Sequence, residues 1–200
     1  MASARPDDVR GLVAGYDAVD EVTLVGSRAR GAEGPLSDWD FTVSGADPHR
    51  IVAGLPSLVE RLSPLAAQWD RLGDTWCFML MLPGPTKVDL LIDLPHDREP
   101  PWTVDASTLR AIDQHFWDWL LWLASKDLMG RPELVSTELA KMSAHLLRPI
   151  GEDHVPIDIA SAFRAYVRGR ARNEERWSTV VPRDLEDEVV SGLRRHGYEL

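Results

Sequence analysis

Cysteine is almost absent: Cys77 is the only one in 200 residues. No disulfide can therefore form within the chain, and a reducing, cytoplasmic compartment is expected. Long apolar runs are missing as well. No stretch approaches the roughly 18 apolar residues of a membrane span. The first ten residues, MASARPDDVR, carry charges where a signal peptide would carry an apolar segment, so neither a secretion leader nor a membrane partner is expected. Basic residues are the scarcer charge, with 22 Lys plus Arg against 32 Asp plus Glu and a formal net charge of −10. Phosphate contacts dominate nucleic-acid affinity, so an acidic chain is a poor partner for a duplex. A small or cationic partner fits better. The six histidines form no i, i+4 pair or close cluster, which leaves a zinc site unsupported.

What the chain does contain is an ordinary 44% of hydrophobic residues, which excludes disordered and collagen-like classes. Two hundred residues suit one large domain or two small ones sharing a cleft. The acid is unevenly spread: residues 1–104 hold 9 basic and 16 acidic side chains, residues 105–200 hold 13 and 16. The character of the sequence changes at Pro95 to Thr103, where three prolines remove backbone donors and read as a linker. Before it, Glu21 to Val25, Asp38 to Val43, Thr75 to Leu82 and Lys87 to Leu94 have strand composition. Pro83-Gly84-Pro85-Thr86 predicts an antiparallel hairpin between the last two. Pro48 to Leu62 has a helical period, which Pro56 is expected to end or kink. After the linker the pattern is helical at roughly Ser107 to Leu128, Pro132 to Leu147, Asp158 to Trp177 and Pro182 to Gly192. The expectation is an α/β domain over residues 1–100 followed by a helical bundle over 101–200.

The strongest local signal lies where the first strand ends. Gly26-Ser27 is followed, after ten residues, by Asp38-Trp39-Asp40. Glycine lets the backbone approach a ligand closely, and a helix starting at Ser27 would aim N–H groups and a positive dipole end at an anion. That arrangement suits a phosphate. On the following strand Asp38 and Asp40 are two apart and point to one face, while Trp39 and Phe41 point to the other. Adjacent carboxylates repel unless a cation lies between them, and a hard cation such as magnesium is the usual solution. Lys87 to Asp93 offers a third carboxylate. Asp89 is preferred to Asp93 because apolar residues flank it on both sides, placing it mid-strand. Three carboxylates can hold two metal ions, one for the attacking oxygen and one for the leaving pyrophosphate.

These residues resemble the nucleotidyltransferase superfamily of DNA polymerase beta, in particular its small bacterial adenylyltransferases, which include aminoglycoside nucleotidyltransferases and minimal nucleotidyltransferase antitoxins. The family pattern is Gly-Ser, ten residues, Asp-x-Asp and a later hydrophobic-Asp-hydrophobic strand, matched here by Gly26, Ser27, Asp38, Asp40 and Val88-Asp89-Leu90. The resemblance spans about residues 20 to 94 and implies a mixed-sheet (α+β) catalytic domain. It implies that Gly26 and Ser27 hold a triphosphate, that Asp38 and Asp40 ligate Mg2+, and that Asp89 is third ligand or base, all three being catalytic. ATP or another NTP would be co-substrate and AMP the group moved to a hydroxyl of a small molecule, such as an aminoglycoside-like antibiotic. The alternative is an antitoxin-like regulator that modifies or binds a protein, which the helical extension of roughly 100 residues disfavours.

Arg28 and Arg30 lie near enough to reach phosphates, Arg28 being the candidate nucleotide contact. In Ser107 to Leu128 one apolar stripe runs through Leu109, Ile112, Phe116, Leu120 and Leu123. A second runs through His115, Trp119, Trp122 and Lys126. It reads either as core or the seam of a homodimer, or as a cleft wall where rings stack and Lys126 binds nucleotide phosphate. Asp118 shares a polar face with Arg110 and Gln114, and exposure to solvent is the simpler expectation. Arg164, Arg168, Arg172 and Arg176 recur every four residues as a solvated face offset by Glu174 and Glu175.

Overall fold

The structure is a computed structural model that describes residues 4–72, 75–94 and 103–200. The chain forms two compact units: Met1–Glu33 with Ser37–Glu99, and Gly34–Leu36 with Pro100–Leu200. Most of the linker expected at Pro95 to Thr103 lies outside the described residues. No helix among the described residues is long and apolar enough to cross a membrane.

The first unit is a five-stranded mixed sheet: β1 (Glu21–Leu24), β2 (Trp39–Ser44), β3 (Ala66–Leu72), β4 (Thr75–Leu82) and β5 (Thr86–Ile92), in the order β1-β2-β5-β4-β3. The β2–β5 pair is parallel and the other three are antiparallel. The hairpin between β4 and β5 forms as expected, with Gly84 at φ +96° in its turn. Helices α1 (Pro6–Ala14) and α3 (Pro48–Val59) cover one face. Val9 and Val13 of α1 and Ile51, Leu55 and Val59 of α3 share a core with Phe41, Val43, Phe78, Leu80, Val88, Leu90 and Ile92. Along each strand these residues alternate with those of the opposite face, where Asp38, Asp40 and Asp89 lie.

Two elements had no clear sequence signal. Helix α1 has only two fully buried apolar residues, and its start is held by Asp8 accepting a 2.8 Å hydrogen bond from the Arg5 N–H. Strand β3, AAQWDRL, lacks β-branched residues and forms because it pairs along its length with β4. Of the two effects expected of Pro56, it does not end α3, which runs on to Val59. It forfeits one backbone hydrogen bond, but Ile51, Leu55 and Val59, all 0% exposed, anchor the helix on either side. A short 3₁₀ turn, Glu60–Leu62, follows.

The second unit contains α4 (Leu109–Leu128), α5 (Pro132–Met142) continued by a π turn at Ser143–Leu147, α6 (Ile159–Trp177) and α7 (Asp184–Arg195). The apolar stripe expected on α4 is buried, with Phe116 stacked on Tyr166 of α6 at 3.7 Å between ring centroids. A polar network also crosses this interior. Asp113 accepts hydrogen bonds from Trp117 Nε1 (3.1 Å), the Tyr166 hydroxyl (2.5 Å) and Arg170 (3.2 Å), and Arg170 pairs with Glu186 at 2.7 Å. Arg168 and Arg172 are exposed as expected, but Glu152 is their partner, at 2.7 and 2.6 Å, while Glu174 pairs with Arg183. Burial alone would raise the Glu152 carboxyl. The hydrogen bonds and charges of Arg172 and Arg168 overcome this and hold it below its usual value.

Two outcomes are expected. Arg170→Met removes the buried cation shared by Asp113 and Glu186 and should lower unfolding free energy by about 3–5 kcal/mol in urea denaturation. Glu152 stabilises the fold above the pKa of an unfolded glutamate and loses this as pH falls through its lowered folded value. The stability advantage of wild type over Glu152→Gln should therefore shrink progressively below about pH 4.3.

Candidate active site

Parallel pairing sets Asp40 of β2 directly opposite Asp89 of β5. Asp38 stands two residues before Asp40, just ahead of the first residue of β2, on the same face. Asp38, Asp40 and Asp89 each present a carboxylate oxygen within 4.8 Å of the other two. Asp38 and Asp40 are half-buried, and Asp89 is only 4% exposed. Asp93 lies beyond the end of β5 and is exposed, so of the two candidates on this segment the structure brings Asp89 to the cluster.

Such a cluster is repulsive, and Lys87 answers part of its charge. Lys87, two residues before Asp89 and so on the same face, sets its Nζ 3.2 Å from Asp89 Oδ2, with both side chains nearly buried. Counting these four side chains alone, one ammonium against three carboxylates leaves a formal excess of two negative charges. An all-oxygen donor set of that charge fits a hard divalent cation. Lys87 was not singled out in the sequence, although the two-residue alternation that selected Asp38 with Asp40 selects it equally.

The neighbouring turn is built around the same carboxylates. Helix α2 is a single turn, Gly26–Ala29, so it offers a few backbone N–H groups rather than the dipole of a long helix. Gly26 has φ +71°, and a Cβ there would lie 2.0 Å from Asp40 Oδ2, so glycine is required on both counts. The Val25 N–H donates to the Asp40 carbonyl at 2.8 Å, tying the turn to β2. Ser27 is half-buried, and its carbonyl accepts from the Arg30 and Ala32 N–H groups. Arg28 is engaged with backbone: Nε donates to the Asp38 carbonyl at 2.9 Å and Nη2 to the Ser37 carbonyl at 2.6 Å, while Cζ lies 4.2 Å from the Trp39 ring centroid. Arg30 is exposed.

Across the sheet, Asp89 lies opposite Met79 of β4, and Met79 opposite Gln68 of β3. Gln68 is 9% exposed, and neither end of its amide has a hydrogen-bond partner among the described residues. In the second unit Lys126 places its Nζ 5.0 Å from the Trp122 ring centroid. Trp119 and Trp122 are partly buried and His115 is 5% exposed. Asp118 corrects its expectation: it is 4% exposed rather than solvated, although Arg110 is exposed. Helix α4 is buried around most of its circumference, so a polar residue on it need not mark a wet face.

Gly26→Ala must displace the Asp40 carboxylate or open the turn. It should weaken Mn2+ binding at least about tenfold in a calorimetric titration, and the strained backbone alone should cost about 1 kcal/mol or more of stability.

A search of curated proteins finds no match. Among solved structures, an aminoglycoside 6-adenyltransferase from Bacillus subtilis is similar at 11% identity, covering 95% of this chain and 97% of that one, with a TM-score of 0.31. The nucleotidyltransferase domain family model matches residues 9–121, which include β1, the Gly26-Ser27 turn and all three aspartates. That match covers more than half of the chain, and the protein belongs to the nucleotidyltransferase domain family and is a transferase.

Proposed function

We propose that the protein moves a nucleoside monophosphate, AMP from ATP in the simplest case, onto a hydroxyl of a small-molecule acceptor. The observation that carries this reading is the convergence of Asp38, Asp40 and Asp89 within 4.8 Å beside the Gly26-Ser27 turn. Asp38 and Asp40 hold Mg2+, and Asp89 completes the site as ligand or as base. Held there, divalent cations would neutralise charge along the triphosphate and lower the pKa of the acceptor hydroxyl. The Gly26 and Ser27 backbone and the Ser27 hydroxyl orient the triphosphate. A bond forms between the acceptor oxygen and the α-phosphorus, the α–β bridging bond breaks, and pyrophosphate leaves. With Asp89 as base, the hydroxyl proton passes to its carboxylate. Positioning and charge stabilisation supply most of the acceleration in chemistry of this kind.

Acceptor choice falls to the helical unit, where Lys126 over Trp122 is the candidate for a further phosphate contact. The buried Gln68 amide, in one cross-strand row with Asp89 and Asp40, offers a donor and an acceptor to a polar ligand. The net charge of −10 favours a cationic acceptor of aminoglycoside type. A buried, lone Cys77 suits a reducing cytoplasm.

Calorimetry with ATP and Mg2+ should show binding that weakens at least about tenfold in Asp38→Asn. The wild type should release pyrophosphate when offered cationic amino sugars, and Asp38→Asn should not. Equal ATP affinity in the two proteins contradicts the metal site. Strong Mg2+-dependent ATP binding with no release across the panel would redirect the reading to a protein acceptor.

A further inference from the structure

The loop from Arg30 to Ser37 delivers Asp38 to the cluster, yet the sheet does not hold its end. Pairing of β2 with β5 begins at Trp39 opposite Val88, so Asp38 lies outside the described ladder while Asp40 lies within it. The approach to Asp38 is also conformationally costly. Leu36 has φ +61°, the left-handed region that a branched side chain rarely adopts. A carboxylate carried on such a segment keeps a fixed position only if something outside the sheet restrains it.

Arg28 supplies that restraint. Its Nε donates to the carbonyls of both Ser37 (3.2 Å) and Asp38 (2.9 Å), and Nη2 donates to Ser37 at 2.6 Å. The guanidinium plane also lies over Trp39, with Cζ 4.2 Å from the ring centroid, and Trp39 packs against the apolar core under the sheet. One planar fork therefore grips the two residues that end the loop and rests on the residue that begins the strand. Its root is in α2, the turn that packs Gly26 against Asp40. Arg28 makes no ion pair with Asp38 or Asp40 among the described residues. Its bonds go to main-chain carbonyls, where geometry rather than charge alone decides the fit.

We infer that Arg28 is a positioning residue for the metal site, a clamp that holds the Asp38 carboxylate within reach of Asp40 and Asp89 before any nucleotide arrives. The inference rests on reading those three carboxylates as a cation site. It differs from the sequence expectation of a phosphate contact in what it requires of the protein without nucleotide. A phosphate ligand matters only when ATP is present, whereas a clamp matters to the bare metal. It also differs in side-chain chemistry, because an ammonium is a point donor and cannot reproduce a planar fork on two carbonyls and a ring.

The test is Mn2+ binding to the full chain without nucleotide, followed by electron paramagnetic resonance, for wild type, Arg28→Met and Arg28→Lys. Melting curves confirm that each variant folds. Arg28→Met and Arg28→Lys should each lose about 10- to 100-fold in Mn2+ affinity, the range seen when a partner orienting a metal ligand is removed. Arg28→Lys keeps the charge and long stem, so it serves if Arg28→Met fails to fold. Unchanged Mn2+ affinity in either folded variant, with only the affinity for Mn2+-ATP reduced, would overturn the clamp and make Arg28 a phosphate ligand. Full rescue by lysine would overturn it too, by showing that charge alone suffices. A wild type that binds no Mn2+ would overturn the cation site and the clamp together, whereas equal binding by wild type and variants would overturn the clamp alone.

Discussion

Three carboxylates held within 4.8 Å of one another repel, and much of the first unit can be understood as the framework that holds them there. Two stand on β2 and its approach, the third on β5, and the parallel pairing of those strands brings Asp40 opposite Asp89. The opposite face of the same strands is packed with Phe41, Val43, Val88, Leu90 and Ile92 beneath α1 and α3. Strand alternation thus separates the two demands on the sheet: one face stabilises by excluding water and the other stores like charge. Lys87 pairs with Asp89, and an all-carboxylate donor set suits a hard divalent cation.

The turn before β2 is subordinate to the same constraint. Glycine at position 26 leaves room for the Asp40 carboxylate that any side chain would occupy, and the Val25 N–H fixes the turn to the Asp40 carbonyl. The proposed phosphate and metal sites would therefore share one backbone segment. In the second unit the interior also carries charge, but there Arg170 pairs with both Asp113 and Glu186, with Trp117 and Tyr166 donating to Asp113. Paired charge of that kind has a structural account. The three carboxylates on β2 and β5 converge on one another instead, and this contrast singles them out as the candidate site.

What could be read from the sequence followed from fixed periods. Gly26, Ser27, Asp38, Asp40 and Asp89 were legible because strand alternation and the ten-residue spacing are local properties, and Lys87 was available to the same rule. Helix α1 was hard to see because two buried valines make too short a stripe, and β3 because its stability comes from pairing with β4 rather than from its own residues. Pro56 does not end its helix, since burial of Leu55 and Val59 outweighs one lost hydrogen bond. Asp118 and Arg170 were misplaced or passed over for a related reason: whether a polar residue on a helix is wet depends on how much of that helix is covered. The reach of Arg28 to two carbonyls at positions 37 and 38 has no sequence signature, because it depends on how an irregular loop closes.

The central claim is that Asp38, Asp40 and Asp89 form one divalent-cation site that works with a triphosphate. Electron paramagnetic resonance of the protein with Mn2+ and a non-hydrolysable ATP analogue tests it most directly. The account predicts two bound Mn2+ ions with spectra broadened by mutual exchange, reduced to one weakly held ion in Asp89→Asn. A spectrum of free aqueous Mn2+ in the wild type, or one unaltered by that substitution, would contradict it.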